Sequence, residues 1–392
     1  MEEPVIISAC RTAVGAFRGS LHSLTAPAVG AVAIREALRR VTISPDRVDE
    51  VIMGNVLSAG VGQAPARQAA LLAGIPPTVQ CLTVNSVGSS GLRAVMLAAH
   101  AVMVREADVV IAGGMESVSN APFLLGRASG GVGNGDAVAI DSILHDSLLD
   151  PRTHETLGIA ADRSARDLGI DRKEQDEYAV MSYLRAKEAQ GTGEFDREIM
   201  PVEVAGPEGS RARFAVDEGV GEMDVAKLPA FSPAFVDDGS VTEGNSSRFG
   251  DGAAAVVVTS ARIARALGIR PLARIVGQAS LAKEPSGFAT AHADVMTRLL
   301  LKCGQTADEV DLFEIDEVFA VVALAAVRIL GIPLERVNVN GGSIALGHPI
   351  GATGARILVT LLHALERRHA QRGVAALVTG GGEASALLVE RE

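Results

Sequence analysis

Short, nearly continuous apolar runs closed by glycine or polar turn residues recur along the chain, at Val5 to Ser8, Val109 to Gly113, Ala255 to Thr259 and Ala375 to Thr379. A strand that is apolar on successive positions has both faces covered, so these runs predict largely buried sheets. Alanine-rich stretches with helical spacing separate them, and that alternation predicts an α/β layered protein. An internal echo refines the picture. Val84-Asn85 leads into a Gly/Ser turn, an alanine-rich helix and a strand ending at Gly113-Gly114, while Val339-Asn340 leads into a glycine-rich turn, a helix from about Gly351 and a strand ending at Gly380-Gly381. Two similar halves are implied. Between them, about residues 119–248, the pattern breaks into a glycine-rich stretch (Gly130 to Gly135), a charged helix containing Glu174-Gln175-Asp176-Glu177-Tyr178 and a polar segment near Pro207 to Arg213, which together read as an inserted domain.

Length and charge narrow the function. At 392 residues the chain suggests two or three packed lobes. Its net charge of −11, from 36 basic and 47 acidic side chains with no run of Lys or Arg, argues against a nucleic-acid groove or a polybasic membrane patch. Met1-Glu2-Glu3-Pro4 does not resemble a secretory signal, and no apolar segment is long enough to cross a bilayer, so no membrane association is expected. Cys10, Cys81 and Cys303 are too scattered for a disulfide framework or a metal site, and a reducing cytoplasm is the expected location. The Gly130 to Gly135 stretch lacks the following Lys-Ser/Thr of a phosphate loop, and no dinucleotide fingerprint is present.

The candidate chemistry lies in five motifs. Val84-Asn85-Ser86-Val87-Gly88-Ser89-Ser90-Gly91-Leu92, Gly113-Gly114-Met115-Glu116-Ser117, Gly244-Asn245-Ser246-Ser247, Asp251-Gly252-Ala253-Ala254 and Gly347-His348-Pro349-Ile350-Gly351 together resemble the thiolase family from end to end. The resemblance implies the thiolase fold, with two duplicated α-β-α-β-α halves and a loop domain that covers the substrate. It places the N-terminal half at residues 1–118 plus 249–268, the loop domain at 119–248 and the C-terminal half at 269–392, with central helices starting near Gly88 and Gly351. It also implies a homo-oligomer, a dimer through a sheet edge or a tetramer through the insertion.

Against the family's own patterns the chain departs at the reacting positions. V-N-x-x-C-x-S-G-L has Gly88 for its cysteine, C-x-G-G-G reads Val378-Thr379-Gly380-Gly381-Gly382, and N-E-A-F reads Asp316-Glu317-Val318-Phe319. The resemblance is therefore to a divergent thiolase-like protein lacking both catalytic cysteines. T-A-G-N reads Thr242-Glu243-Gly244-Asn245, M-G-x-G-P reads Phe288-Ala289-Thr290-Ala291-His292, and Thr156 stands where the family often has a histidine.

The donors that hold oxyanions remain. The backbone N–H of Gly88, at the expected start of a helix, and that of Gly380 can polarise a thioester carbonyl, although Gly88 can equally serve only as a tight turn. Ser89 and Ser90 offer hydroxyls in place of the thiol, but both also read as helix-start residues. His348 matches the family's activating histidine and can act as base or donor. Asp316 beside it would favour imidazolium and orient the ring, or it is neutral drift in a silent site. The resemblance puts Ser247, Glu243, Phe288, His292 and Ser89 around the ligand, and His292 can equally be a satisfied core histidine.

These readings imply a protein that binds an acyl-CoA or other acyl thioester, delivered by coenzyme A or a carrier protein, without a tightly bound cofactor or metal. They imply acyl transfer or C–C bond chemistry without a cysteine, and no ordinary thiolase activity. The alternative is a non-catalytic homologue serving as a ligand-binding or structural subunit.

Overall fold

A computed structural model describes residues 1–126, 138–206 and 210–391 of the chain. The Gly130 to Gly135 stretch and positions 207–209 of the polar segment lie outside the described residues. The first half runs β1 (Pro4–Thr12), α1 (Ala26–Val41), β2 (Glu50–Gly54), α2 (Pro65–Ala73), β3 (Gln80–Val84), α3 (Ser90–Met103) and β4 (Val109–Ser117). An insertion carrying α4 (Leu157–Leu168) and α5 (Arg172–Gly191) follows, and β5 (Gly250–Ser260) closes that half. The second half runs β6 (Ala273–Ala282), α6 (Ala291–Cys303), β7 (Leu312–Ile315), α7 (Ala320–Leu330), α8 (Ile350–Arg367), β8 (Arg372–Val378) and β9 (Glu383–Glu390).

The repetition read from the sequence is a repetition of topology. In the first half β2 lies parallel to β3 and β4, while β4 pairs antiparallel with β5 and β5 with β1. In the second, β7 is parallel to β8, β8 antiparallel to β9 and β9 antiparallel to β6. A parallel bridge between Phe313 and Val337 stands where β2 meets β3 in the first half. The halves join edge to edge through β1 and β6 at Val5 with Arg274 and Ile6 with Ala273. Among the described residues the result is one eleven-stranded sheet with its main path in the order β7-β8-β9-β6-β1-β5-β4-β2-β3. The mixed α/β class and thiolase-type architecture expected from the sequence are what the chain adopts.

The strands are longer than the apolar runs suggested. β4 continues past Gly113-Gly114 to Ser117, and β5 begins at Gly250 rather than near Ala255. Every residue of both is buried, so glycine and even Asp251 and Glu116 are carried inside the sheet. The glycines are needed there: a Cβ on Gly114 would lie 2.0 Å from the Gly351 carbonyl oxygen, where the start of α8 crosses β4. The insertion also holds more regular structure than its polar composition indicated, since Arg211–Phe214 pairs with Val202–Ala205 as a hairpin.

Helices α3 and α8 form the middle layer. They pass at contact distance because the crossing is built from glycine: a Cβ on Gly91 would sit 2.8 Å from the Ala355 nitrogen, and one on Gly354 2.4 Å from the Leu92 nitrogen. Residues Ile350 to Leu365 of α8 are all buried, as befits a helix covered on every side. Its entrance is fixed by Glu116, whose carboxylate accepts from the Gly351 N–H at 2.9 Å, the Asn55 side-chain amide at 2.6 Å and the Val56 N–H at 3.0 Å. Both middle helices therefore begin at one place, and the cavity described next opens there.

Candidate active site

Three turns converge on the entrances of α3 and α8. The first precedes α3. Ser90 Oγ donates to the Val87 carbonyl at 2.6 Å and accepts from the Ser86 N–H at 2.8 Å, tying the chain into a loop with the buried Gly88 on the cavity side. The helix begins at Ser90, two residues after Gly88, and Ser89 gives no side-chain cap. Val87 is held at φ 46°, a left-handed conformation that costs a β-branched residue on the order of 1–3 kcal/mol. That strain aims the Gly88 position. A Cβ built on Gly88 would point at the His348 ring, 3.8 Å from Cε1 and 3.9 Å from Nε2, and at the Val378 carbonyl oxygen, 3.8 Å away.

The second turn carries His348. Gly347 adopts φ 96°, and a Cβ there would also lie 2.9 Å from Val14 Cγ1, so only glycine brings the chain past Val14. The His348 N–H donates to the Arg248 carbonyl at 2.8 Å, which fixes the ring at the cavity wall. Its Nε2 lies 3.1 Å from Asp316 Oδ2. The carboxylate thus takes the ring nitrogen that borders the space over Gly88. In hydrolytic triads, carboxylate and nucleophile use opposite ring nitrogens; here the carboxylate takes the nitrogen on the cavity side.

Asp316 is completely buried behind His348 and does not line the cavity. Its other oxygen, Oδ1, accepts from Ser343 Oγ at 2.7 Å. Burial alone would push this carboxyl up, but the His348 charge, hydrogen bonds from His348 and Ser343, and the Arg356 charge together hold it below its usual value. The adjoining Glu317 is clamped by Ser182 Oγ at 2.7 Å, Asn338 Nδ2 at 2.7 Å and Tyr178 Oη at 2.9 Å. Two of those donors lie on α5, so the charged helix of the insertion steadies the turn that carries Asp316.

The third turn, Thr379 to Gly382, joins β8 to β9, with the Gly382 N–H donating to the Thr379 carbonyl at 3.0 Å. Gly380 lies at its tip against Leu157 of the insertion, and Val378 ends the strand beneath it.

These turns and the insertion enclose a cavity of about 600 Å³ lined by Gly88, His348, Gly380, Glu243 and Ser247 among others. Its far wall is aromatic: Phe235 meets Phe319 edge-on, with ring centroids 5.8 Å apart. A mainly apolar slot with a few convergent polar groups at its floor suits a flexible, partly apolar arm ending in a polar reacting group.

The remaining predicted contacts fall elsewhere. Phe288 and His292 are fully buried and lie outside the cavity lining. Phe288 belongs to the hydrophobic core cluster, because the turn Pro285–Thr290 points its aromatic ring inward rather than over the ligand space. The His292 ring sits buried on α6, and burial pulls it down to about 4 against the opposing Asp316 charge and the Ala376 backbone. Ser89 is also buried away from the cavity, its hydroxyl without a partner among the described residues. Ser343, Arg356 and the strained Val87 had no signal in the sequence. Each matters through a contact or a dihedral angle that residue type alone does not reveal.

No cysteine among the described residues lines the cavity. Cys10 lies inside β1 and donates to the Ala33 carbonyl at 3.3 Å, and burial pushes its thiol up to about 12. Cys81 lies on β3 and Cys303 ends α6. No group of three or more His, Cys, Asp or Glu among the described residues is arranged to hold a metal ion.

Comparison with known proteins agrees with this architecture over the whole chain. Residues 4–262 match the family model for the thiolase N-terminal domain, and residues 269–391 that for the thiolase C-terminal domain. An acetyl-CoA acetyltransferase of Cupriavidus necator is 47% identical over 393 residues, covering 100% of both chains. Acetyl-CoA acetyltransferase 2 of Arabidopsis thaliana is 48% identical over 387 residues, covering 98% of this chain and 96% of that one. An acetyl-CoA acetyltransferase of Schizosaccharomyces pombe is 44% identical over 390 residues, with 99% of each covered.

Proposed function

The chain belongs to the thiolase family, and from that premise we propose that it is an acyltransferase that holds an acyl-CoA or related acyl thioester in the cavity and transfers the acyl group without a cysteine intermediate. The observation that carries this reading is the place of Gly88. Its missing side chain would face His348 and the end of β8 at ordinary contact distance, so the position from which a thiol would attack is open, formed and empty of any nucleophile. Space for a second reactant exists where the family's acyl-enzyme would stand.

The step follows from the geometry. The Gly88 and Gly380 N–H groups polarise the thioester carbonyl, and an acceptor hydroxyl, amine or water attacks its carbon from the vacated space. The acceptor's proton passes to the His348–Asp316 pair as the new bond forms. Collapse breaks the C–S bond, and the pair returns that proton to the departing thiolate. No second thiol is required, since no acyl-enzyme is made. An enolate formed at the thioester α-carbon for C–C chemistry would use the same donors and the same pair.

Names of the relatives favour a second reading, ordinary acetyl-CoA acetyltransferase chemistry. That reaction needs a thiolate to accept the acyl group and a second acid-base group at Cα, and the sequence resemblance puts Gly88 and Val378 at those positions. One experiment separates the readings: release of free CoA from a panel of acyl-CoAs offered with water, amine and alcohol acceptors, alongside thiolysis of acetoacetyl-CoA. The proposal expects release without thiolysis. It also expects His348→Ala to lower release by about 10²–10⁴-fold with CoA affinity nearly unchanged. Thiolysis at a normal rate, or release unaffected by His348→Ala, would sink it.

A further inference from the structure

The pair at the cavity is only the visible end of a longer buried arrangement. Asp316 Oδ2 faces His348, and Asp316 Oδ1 receives the Ser343 hydroxyl hydrogen at 2.7 Å. The Ser343 oxygen in turn accepts from Arg356 Nη2 at 2.6 Å. Ser343 precedes His348 on the short helix Ser343–Leu346, and Arg356 projects from the interior of α8, so the middle helix of the molecule reaches the base through one hydroxyl. All three groups are buried, with Arg356 1% exposed and Asp316 and Ser343 not exposed at all. Arg356 Nε and Nη1 have no hydrogen-bond partner among the described residues. A guanidinium so incompletely served is expensive to bury and is not explained by its own hydrogen bonds.

Charge balance explains it better. Other ionisable groups reach this cluster from every side: Glu314 and Glu317 from the β7 region, His292 from α6, Arg11 from β1 with Glu198 beside it, Arg185 from α5, and Glu222, Glu243 and Arg248 around the cavity. Glu317 is occupied by its own donors from α5 and Asn338. Burial pushes Glu314 up to about 8 and His292 down to about 4, so both are neutral near pH 7. Of the other buried charges, Arg11 is paired with Glu198 and Asp217, which leaves Arg356, one hydroxyl away, as the cation that opposes Asp316 from behind.

We propose that Arg356, acting through Ser343, is a positioning residue for the base: it fixes the Asp316 carboxylate with Oδ2 on His348 and opposes its charge. A buried carboxylate without that counter-charge would draw a proton onto His348 and leave an imidazolium–carboxylate pair with no base to offer. The role depends on the reading of His348–Asp316 as the proton acceptor, but its test needs no substrate.

The test is a pH titration by NMR of protein labelled at histidine Cε1, the His348 signal among the eight histidines being assigned by its absence in His348→Gln. Ser343→Ala removes the donor to Oδ1 and is a small change for the fold. It is expected to raise the His348 midpoint by about one unit, because the carboxylate's charge then falls more fully on the imidazole. Arg356→Met is expected to raise it further, and Arg356→Lys, which keeps the charge, to bring it back toward wild type. A merely structural Ser343 would leave the midpoint where it is. Should Arg356→Met fail to fold, Ser343→Ala decides alone: an unchanged or lowered midpoint overturns the proposal. CoA release that depends on His348 would survive that outcome, and loss of the release result would leave the titration standing, so the two failures are distinguishable.

Discussion

Glu314 shows at the scale of one residue what a buried network demands of its members. Burial is the largest influence on this carboxyl and pushes it up to about 8, with Arg356 opposing, against a value of about 4.3 in an unfolded chain. The folded protein therefore holds Glu314 in its protonated form. Its contribution is complete below the unfolded value and is lost as pH rises through about 8, because above that point the fold must bury a charge that water would solvate. Glu314→Gln keeps the shape and removes the ionisation. Calorimetry should show the variant's melting temperature gaining on wild type from pH 5 to about pH 9, by several degrees at the alkaline end. Parallel curves would contradict the assignment.

Among the elements, α5 links the insertion to the chemistry. Asp171 caps it, accepting from the Glu174 N–H at 2.8 Å, and further along the same helix Tyr178 and Ser182 reach Glu317 beside the turn that carries Asp316. Removing the cap costs about 1 kcal/mol. Asp171→Ala should therefore lower the melting temperature by about 1 °C, as expected for a protein of this size, while CoA release stays normal because fraying stops short of Tyr178. A fall in release at unchanged stability would show that the helix start itself takes part. Much of this level could be read in advance: apolar runs gave the strands, and the echo between Val84-Asn85 and Val339-Asn340 gave the duplication. The lengths of β4 and β5 could not, because Glu116 and Asp251 read as polar ends although the sheet buries both.

On the scale of the whole molecule, the site exists because two similar halves bring the starts of α3 and α8 together and the insertion closes the cavity over them. Gly88, His348 and Asp316 were legible as a group since each stands in a recognisable motif. Phe288, His292 and Ser89 were misplaced because a motif gives a position along the chain but not the direction in which a turn points its side chain. Ser343 and Arg356 stayed invisible for a related reason: a serine and an arginine in helices are ordinary, and only the hydrogen bonds running from Arg356 through Ser343 tie them to Asp316.

The central claim is that acyl transfer here proceeds without an acyl-enzyme, and peptide mass spectrometry after incubation with acetyl-CoA tests it most directly when wild type is compared with Gly88→Cys. The substitution should fold, since φ at Gly88 lies outside the left-handed region and the nearest atoms to a new Cβ are 3.8 Å away. The account predicts no acetyl adduct on any residue of wild type, and an adduct on the new cysteine in Gly88→Cys without recovery of acetoacetyl-CoA thiolysis, because Val378 supplies no second thiol. An acetyl group found in wild type on Cys10, Cys81, Cys303, Ser89 or Ser90 would contradict it.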